Sequence, residues 1–377
     1  MRNLITSYLA SSFVMPFVVS NIFFVTFLLT FELFKLTKLI VTQDVSFLFV
    51  LSLVGDIAVT LLPLAIPISI FFSVIFCMNK ISNDSEYIAM RSFGMTKIQI
   101  LTPFLIIAFF IGINAYFLGQ ELVPVAKKSF RQKVTMLSSE SLIAGLKSGQ
   151  FFTAIDNVTL FPSEVSKDGK ELKDIYLNIV ASGQESERFI FAKHGNLIYE
   201  KNSKTGIESL NLHLREGNIT ELMSDQKRVE KVLFDDYVFP MTSKRFSYSF
   251  QTRETMMNFV ELKAFLAEGF EAAKAQGYNE KDFFNANYEF WNRINAPLLC
   301  LVFTFLGFCL GVKGTRGVVK NGAGVAILYL ISYYILFFSF VSLARDNGIA
   351  VPLALSVPLI LLIGLAIRLY RKLDWQS

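Results

Sequence analysis

In 377 residues the chain has only 3 cysteines, 2 histidines and 2 tryptophans, and charged residues make up just 18% of it. Soluble domains carry roughly a quarter charged residues. A chain this poor in charge and 53% apolar is not an ordinary water-soluble enzyme. Cys77, Cys300 and Cys309 all fall in long apolar runs, and residues 121–290 contain no cysteine. A disulfide framework is thereby excluded for that stretch, which must fold on an apolar core. His194 and His213 show no metal-ligand spacing and read as solvated residues, His194 in a turn and His213 on the polar face of a strand. There is no G-x-S-x-G, no H-E-x-x-H and no G-x-x-x-x-G-K-[ST]. Residues 313–320 have glycines and cations but not the phosphate-loop order, and read as a basic turn. The expectation is a non-enzyme with no cofactor of its own.

What is present is six long apolar runs. A bilayer core about 30 Å thick takes roughly 20 helical residues. Residues 9–31, 57–78, 98–118, 294–312, 324–343 and 351–367 meet that length, with no ionisable residue in the middle of any. The first run is too long for a signal-peptide core and is followed by no A-x-A-like site, so it reads as a retained span. Residues 121–290 hold 22 of the 36 Lys/Arg and 24 of the 31 Asp/Glu, a net −2 against +7 in the flanks. The flanking surplus reads as membrane orientation rather than affinity for nucleic acid. Arg2, Lys80, Arg91, Lys97, Lys313, Arg316, Lys320, Arg368, Arg371 and Lys372 fall in short loops or tails on one side, against Lys35, Lys38 and Arg345 on the other. The positive-inside rule then places both termini in the cytoplasm and the central block outside. The expected domains are 1–120 with three spans, 121–290 as an extracytoplasmic block, and 291–377 with three more.

Within the block, Ile175, Leu177 and Ile179, then Leu210, Leu212 and Leu214, then Phe246, Tyr248 and Phe250 alternate with polar residues, as half-buried strands do. Turn signals at Lys167-Asp168-Gly169, His194-Gly195-Asn196 and Glu216-Gly217-Asn218 suggest an antiparallel sandwich or jelly roll rather than βαβ units. From about Thr255 the period becomes helical, with Phe259, Leu262, Phe265 and Leu266 on one face. A sheet of this kind without catalytic signatures points to binding, through an open edge or a hydrophobic groove.

Residues 79–96 carry the most information. Asn83 suits a helix cap with Glu86 as its capping-box partner, Asp84 suits the positive dipole end, and Gly94 suits the left-handed position after the C-terminus. This predicts a helix of about ten residues over 84–93, too short to span, with Ala89, Met90 and Phe93 sharing a face with Glu86. Two readings stay open: an interfacial helix that only reverses the chain, or one that carries a push from a cytoplasmic partner into the membrane.

These residues resemble the LptF/LptG (YjgP/YjgQ-type) permeases, membrane subunits of the lipopolysaccharide-export ABC transporter, over nearly the whole chain. Ser85, Glu86, Gly94 and Met95 match that family's S-E-x-x-x-x-x-x-x-G-[MLF] coupling helix, and the Leu62-Pro63-Leu64-Ala65-Ile66-Pro67 run resembles its proline-containing second span. Ala192 with Gly195, Leu214 with Gly217, and Phe234 with Tyr237 resemble the A-x-x-G, L-x-x-G and F-x-x-Y elements of its periplasmic β-jellyroll. The resemblance implies a bacterial inner-membrane protein of six transmembrane helices with an inserted all-β jellyroll-like domain. It also implies a second homologous permease, two copies of a cytoplasmic ABC ATPase that binds ATP and magnesium, a bitopic jellyroll protein, a soluble bridge protein, and lipopolysaccharide as cargo. Ser85, Glu86, Met90, Arg91, Phe93 and Gly94 would form the ATPase-coupling helix. Lys35, Lys38, Lys127, Lys128 and Arg131, near outer span ends, would either meet the lipid phosphates or anchor the helices. The Leu61-Leu62-Pro63-Leu64 run resembles the LptF type within the family.

An ion-coupled secondary transporter is the alternative, along with another ABC permease for an amphipathic lipid. The first usually places ionisable residues within its spans, where this sequence offers neutral Asn21 and Asn114. Pro16, Pro63, Pro67, Pro103 and Pro358 suit a cavity that changes shape better than a passive anchor.

Overall fold

The computed structural model describes residues 2–41, 46–155, 157–166, 168–180, 186–201, 208–223, 228–241, 254–275, 278–312 and 322–373. The chain divides into two compact units: Met1–Thr37, Val54–Lys127 and Glu254–Ser377 form one, Lys38–Leu53 and Lys128–Arg253 the other.

The six apolar runs are helical because a chain in hydrocarbon must satisfy its own backbone groups. The helices are α1 (Arg2–Val41), α2 (Phe47–Asn83), the short α3 (Glu86–Ser92), α4 (Lys97–Phe117), α5 (Val123–Gly145), α6 (Phe259–Ala275), α7 (Glu280–Gly311), α8 (Gly322–Asn347) and α9 (Val351–Lys372). A π turn at Leu118–Leu122 joins α4 to α5. Six of these are long and apolar enough to cross a membrane. Five outrun their apolar segments, and α4 continues through the π turn into α5 instead; α7, expected from residue 294, begins at Glu280 and so includes Glu289 and Arg293. The helices also carry prolines, including Pro297 in α7.

Van der Waals contact, not the hydrophobic effect, holds helices together in lipid, so close approach matters. Gly307 and Gly311 form a G-x-x-x-G stripe on α7 against α2. A Cβ on Gly307 would stand 2.9 Å from the Phe71 carbonyl oxygen, and one on Gly311 would stand 2.6 Å from Met78 Cβ. Phe71, Ile75, Phe303, Tyr333 and Phe337 build one buried cluster, while Phe13, Val74, Met78, Phe104 and Phe308 anchor another. The predicted helix after Thr255 is α6, entered through a 3-10 turn at Glu254–Met256. Asn258 and Glu261 exchange capping bonds of 2.8 and 3.0 Å, and Leu262 and Phe265 are buried.

The second unit carries a six-stranded antiparallel sheet with β1 (Phe152–Ile155), β2 (Val158–Val165), β3 (Glu171–Val180), β4 (Ser186–Lys201), β5 (Glu208–Met223) and β6 (Arg228–Pro240) in sequence order. The described strands form a meander. Ile175, Leu177, Leu210, Leu212 and Leu214 face its core as their alternation predicts. The Phe246, Tyr248 and Phe250 strand and residues 313–320 lie outside the described residues. So does Lys167 of its turn, although Gly169 turns the chain with φ +68°.

Two turn expectations are corrected. His194, Gly195 and Asn196 lie inside β4, and Glu216, Gly217 and Asn218 inside β5. The glycines serve space, not reversal: a Cβ on Gly195 would strike Ile175, and one on Gly217 would strike the Phe191 carbonyl. They belong to a kink that crosses the sheet. A regular strand alternates faces, so residues three apart point oppositely. Here Pro162 and Val165, Leu172 and Ile175, Ala192 and Gly195, Leu214 and Gly217, and Phe234 and Tyr237 are each the buried or half-buried pair around two exposed residues. Asp174 and Glu216, among those exposed residues, take φ of 43° and 53° to allow it. The register aligns the pairs: Ala192 faces Gly217, which faces Phe234, and Gly195 faces Leu214, which faces Tyr237. The three-residue spacing of these sequence elements is therefore the mark of the kink.

Candidate functional site

The loop between α2 and α4 holds the first site. α2 keeps its helical bonding through Asn83, with the Asp84 N–H donating to the Lys80 carbonyl at 2.9 Å. The predicted Asn83 cap is thus corrected. The chain turns at Asp84 and Ser85, Ser85 takes a left-handed φ of 60°, and α3 is 7 residues long without a side-chain cap. The capping box forms later, at Thr96: its hydroxyl accepts from the Gln99 N–H, while the Gln99 side chain accepts from the Thr96 N–H. Gly94 behaves as predicted, with φ +83°. Its N–H donates to the Arg91 carbonyl at 3.0 Å and the Met95 N–H to the Met90 carbonyl at 3.1 Å, the two bonds of a Schellman ending.

The faces of α3 follow from that geometry. Tyr87 and Met90 are both 8% exposed and belong to the core of the membrane unit. Met90 therefore does not share the outer face with Ala89 and Phe93 as predicted: one helical turn is too tight for all of them to point alike. The outer face consists of Ser85, Ile88, Ala89, Ser92 and Phe93. Phe93 is 88% exposed, an unusual state for a large aromatic. Glu86 and Arg91 flank this face, both half-buried. The Tyr8 hydroxyl of α1 is 3.1 and 3.0 Å from the Glu86 carboxylate oxygens, and Arg91 donates to the Met95 carbonyl at 3.0 Å. Sequence reading missed Tyr8 and Ile88; Ile88 was legible from the i, i+3, i+4 spacing of Ser85, Ile88 and Ala89. Lys97, one of the ten expected cytoplasmic cations, is buried, with its ammonium 4.7 Å from the Tyr370 ring centre.

The basic candidates separate. The side chains of Lys35 and Lys38 lie outside the described residues; α1 includes both positions. Lys128 is exposed and Arg131 half-buried. Lys127 is only 9% exposed, and its ammonium lies 3.5 Å from Glu289 Oε1. The expected interfacial placement of Lys127 is therefore corrected: it is buried in a charged cluster. Glu289 Oε1 also accepts from Arg293 Nε at 3.1 Å, one helical turn away on α7. Arg293 Nη2 reaches the Met257 carbonyl at 3.0 Å and the Thr255 carbonyl at 3.5 Å, tying the segment before α6 to α7. Only the i, i+4 spacing of Glu289 and Arg293 hinted at this cluster in the sequence.

The sheet's outer surface carries a charged row along the kink. Glu164, Lys173, His194, Arg215 and Asp236 follow one another across β2 to β6 in register. Lys173 pairs with Glu164 at 2.9 Å and Lys193 with Glu216 at 3.1 Å, and all four side chains are well exposed. Each pair raises the lysine's or lowers the carboxyl's proton affinity in the expected sense: Lys173 is shifted up by Glu164, and Glu216 down by Lys193. Exposed pairs of this kind contribute little stability. No group of His, Cys, Asp and Glu suited to a metal ion occurs among the described residues.

Comparison with known proteins adds to this geometry. The chain is 25% identical over 197 residues to the lipopolysaccharide export system permease protein LptF of Escherichia coli (strain K12), and equally so to that of Shigella flexneri, covering 52% of each chain. It is 25% identical over 180 residues to an uncharacterized protein of Rickettsia prowazekii (strain Madrid E), covering 45% of this chain and 48% of that one. The chain thus spans about half the length of the curated relatives it matches. A six-helix membrane protein with an inserted antiparallel sheet also fits the family whose model matches residues 7–372, described as lipopolysaccharide export system permease LptF/LptG. With a match over nearly its whole length, the chain belongs to the LptF/LptG permease family.

Proposed function

We propose that this chain is the LptF-type transmembrane permease of an ATP-driven lipopolysaccharide exporter in a bacterial inner membrane. It works beside a second homologous permease, above two copies of a cytoplasmic ABC ATPase that holds ATP and magnesium. Both termini and α3 face the cytoplasm, and the sheet faces the periplasm. The lipid leaves the outer leaflet of the inner membrane and passes to the jellyroll of a bitopic partner and on to a soluble bridge protein. Lys35, Lys38, Lys128 and Arg131 attract the lipid phosphates at the membrane surface.

One observation carries this reading. Tyr87 and Met90 bind α3 to the membrane core, while Ile88 and Phe93 stay 43% and 88% exposed on its other side. A helix so placed has one face committed to the permease and an apolar face left for a partner, with Glu86 beside it. A displacement imposed on the outer face passes through Tyr87 and Met90 into the helices. The test is copurification of the ATPase with Glu86→Lys and Phe93→Ala variants, together with export in cells. Loss of association in both, with the permease still in the membrane, is the expected result. Undiminished association and export would remove α3 from the coupling role.

A further inference from the structure

The chain leaves the membrane unit after Lys127, forms the sheet, and re-enters that unit at Glu254. The backbone is weakly self-supporting at both points. α5 follows the π turn at Leu118–Leu122, and a π turn interrupts the regular helical ladder, so α4 alone does not set the direction of α5. The re-entry is the three-residue 3-10 turn Glu254–Met256, too short to hold itself.

Side chains of α7 hold both points instead. The Lys127 ammonium lies 3.5 Å from Glu289 Oε1, and the same oxygen accepts from Arg293 Nε at 3.1 Å. Arg293 Nη2 donates to the Met257 carbonyl at 3.0 Å and to the Thr255 carbonyl at 3.5 Å. The planar fork of a guanidinium lets one side chain serve the carboxylate and the returning backbone at once. Just beyond, Phe259 of α6 stacks on Phe290 of α7, with ring centres 5.9 Å apart. Lys127, Glu289 and Arg293 are 9%, 8% and 6% exposed, so salt screens their attraction little. α7 is itself seated closely on α2 at Gly307 and Gly311. One carboxylate oxygen therefore connects two segments that flank the whole sheet in sequence.

We propose that Glu289 and Arg293 are positioning residues: a clamp on α7 that ties both of these chain connections to the membrane helices, so that each follows α7. A buried ion cluster adds little net stability over an apolar one of the same volume. What this one adds is a fixed position for the two connections. The clamp is independent of the cargo and of the ATPase, and so of the export reading.

The test is hydrogen exchange read by mass spectrometry on the full chain in a non-ionic maltoside detergent, following residues 118–127 and 254–262, with α9 as the reference. Lys127→Met keeps the Glu289–Arg293 pair and is expected to speed exchange roughly tenfold in 118–127 alone, as loss of a bond to a charged group does. Arg293→Lys keeps a charge for Glu289 but has no second arm for the carbonyls, and is expected to speed exchange similarly in 254–262 alone. Glu289→Gln should loosen both stretches. Lys127→Arg, which still pairs with Glu289, should restore the parent rate. If Glu289→Gln fails to fold, the Lys127 and Arg293 variants decide the matter. The clamp is overturned if Lys127→Met and Arg293→Lys both leave exchange at the parent rate, if they loosen the same stretch, or if the rise extends equally to α9, which would give the cluster a packing role only.

Discussion

The hydroxyl of Tyr8 lies within 3.1 Å of both carboxylate oxygens of Glu86, bridging the start of α1 and the first turn of α3. The residues are 78 apart in sequence. The bond fixes the direction of a carboxylate that stands beside an exposed apolar face. Tyr8→Phe keeps the ring and removes the bond. It is expected to weaken copurification of the ATPase several-fold, less than Glu86→Lys, without lowering the amount of permease in the membrane.

Met90 on α3 and Phe93, the residue that caps its C-terminal end, have opposite roles. Met90→Ala should cost about 2–5 kcal/mol, as a buried large-to-small change does, and lower the unfolding temperature of the purified permease. Phe93→Ala should move stability by less than about 0.5 kcal/mol while reducing ATPase association. Equal stability losses would show that both side chains are buried in the solution state.

Gly311 lies so close to α2 that a valine cannot enter without displacing backbone. Gly311→Val is expected to destabilise by about 1–3 kcal/mol through overpacking, read as earlier thermal unfolding and lower yield. Gly364, with nothing near its missing Cβ, provides the control: Gly364→Ala should be neutral or slightly stabilising.

Glu289 receives both Lys127 and Arg293. Glu289→Gln leaves two buried cations without their counter-ion and should cost about 3–5 kcal/mol. Adding Lys127→Met to that variant should recover part of the loss, measured as unfolding temperature in a double-mutant cycle. Additive losses would mean that the two side chains do not share a site.

Gly195 on β4 leaves room for Ile175 of β3. Gly195→Ala should destabilise the sheet, and Ile175→Val in the same chain should restore part of it, seen as recovered resistance to proteolysis within residues 152–240.

The helices and the half-buried strands were legible because their signals are local. An apolar run of sufficient length has to span or be buried, and Leu210, Leu212 and Leu214 alternate whatever lies next to them. Gly94 was legible for the same reason: its positive φ follows from the end of a helix a few residues long. Signals that depended on a neighbour misled. Gly195 and Gly217 resemble turn residues until Ile175 and Phe191 are beside them, and Asn83 resembles a cap until α2 is seen to continue through it. The spacing of Ala192 and Gly195, Leu214 and Gly217, and Phe234 and Tyr237 was visible, but not its meaning, because a kink exists only when adjacent strands share it in register.

Composition and periodicity alone therefore determined a charge-poor membrane unit, an inserted sheet and the place of the short helix between the second and third spans. Tertiary structure decided which side chains of that helix are free, that Lys127 is buried against Glu289, and that Arg293 reaches the segment before α6. The physical reason is range. Hydrophobic patterning acts over a few residues of one element, whereas a buried charge is tolerated only where a partner from another element reaches it, and that meeting is a property of the folded chain.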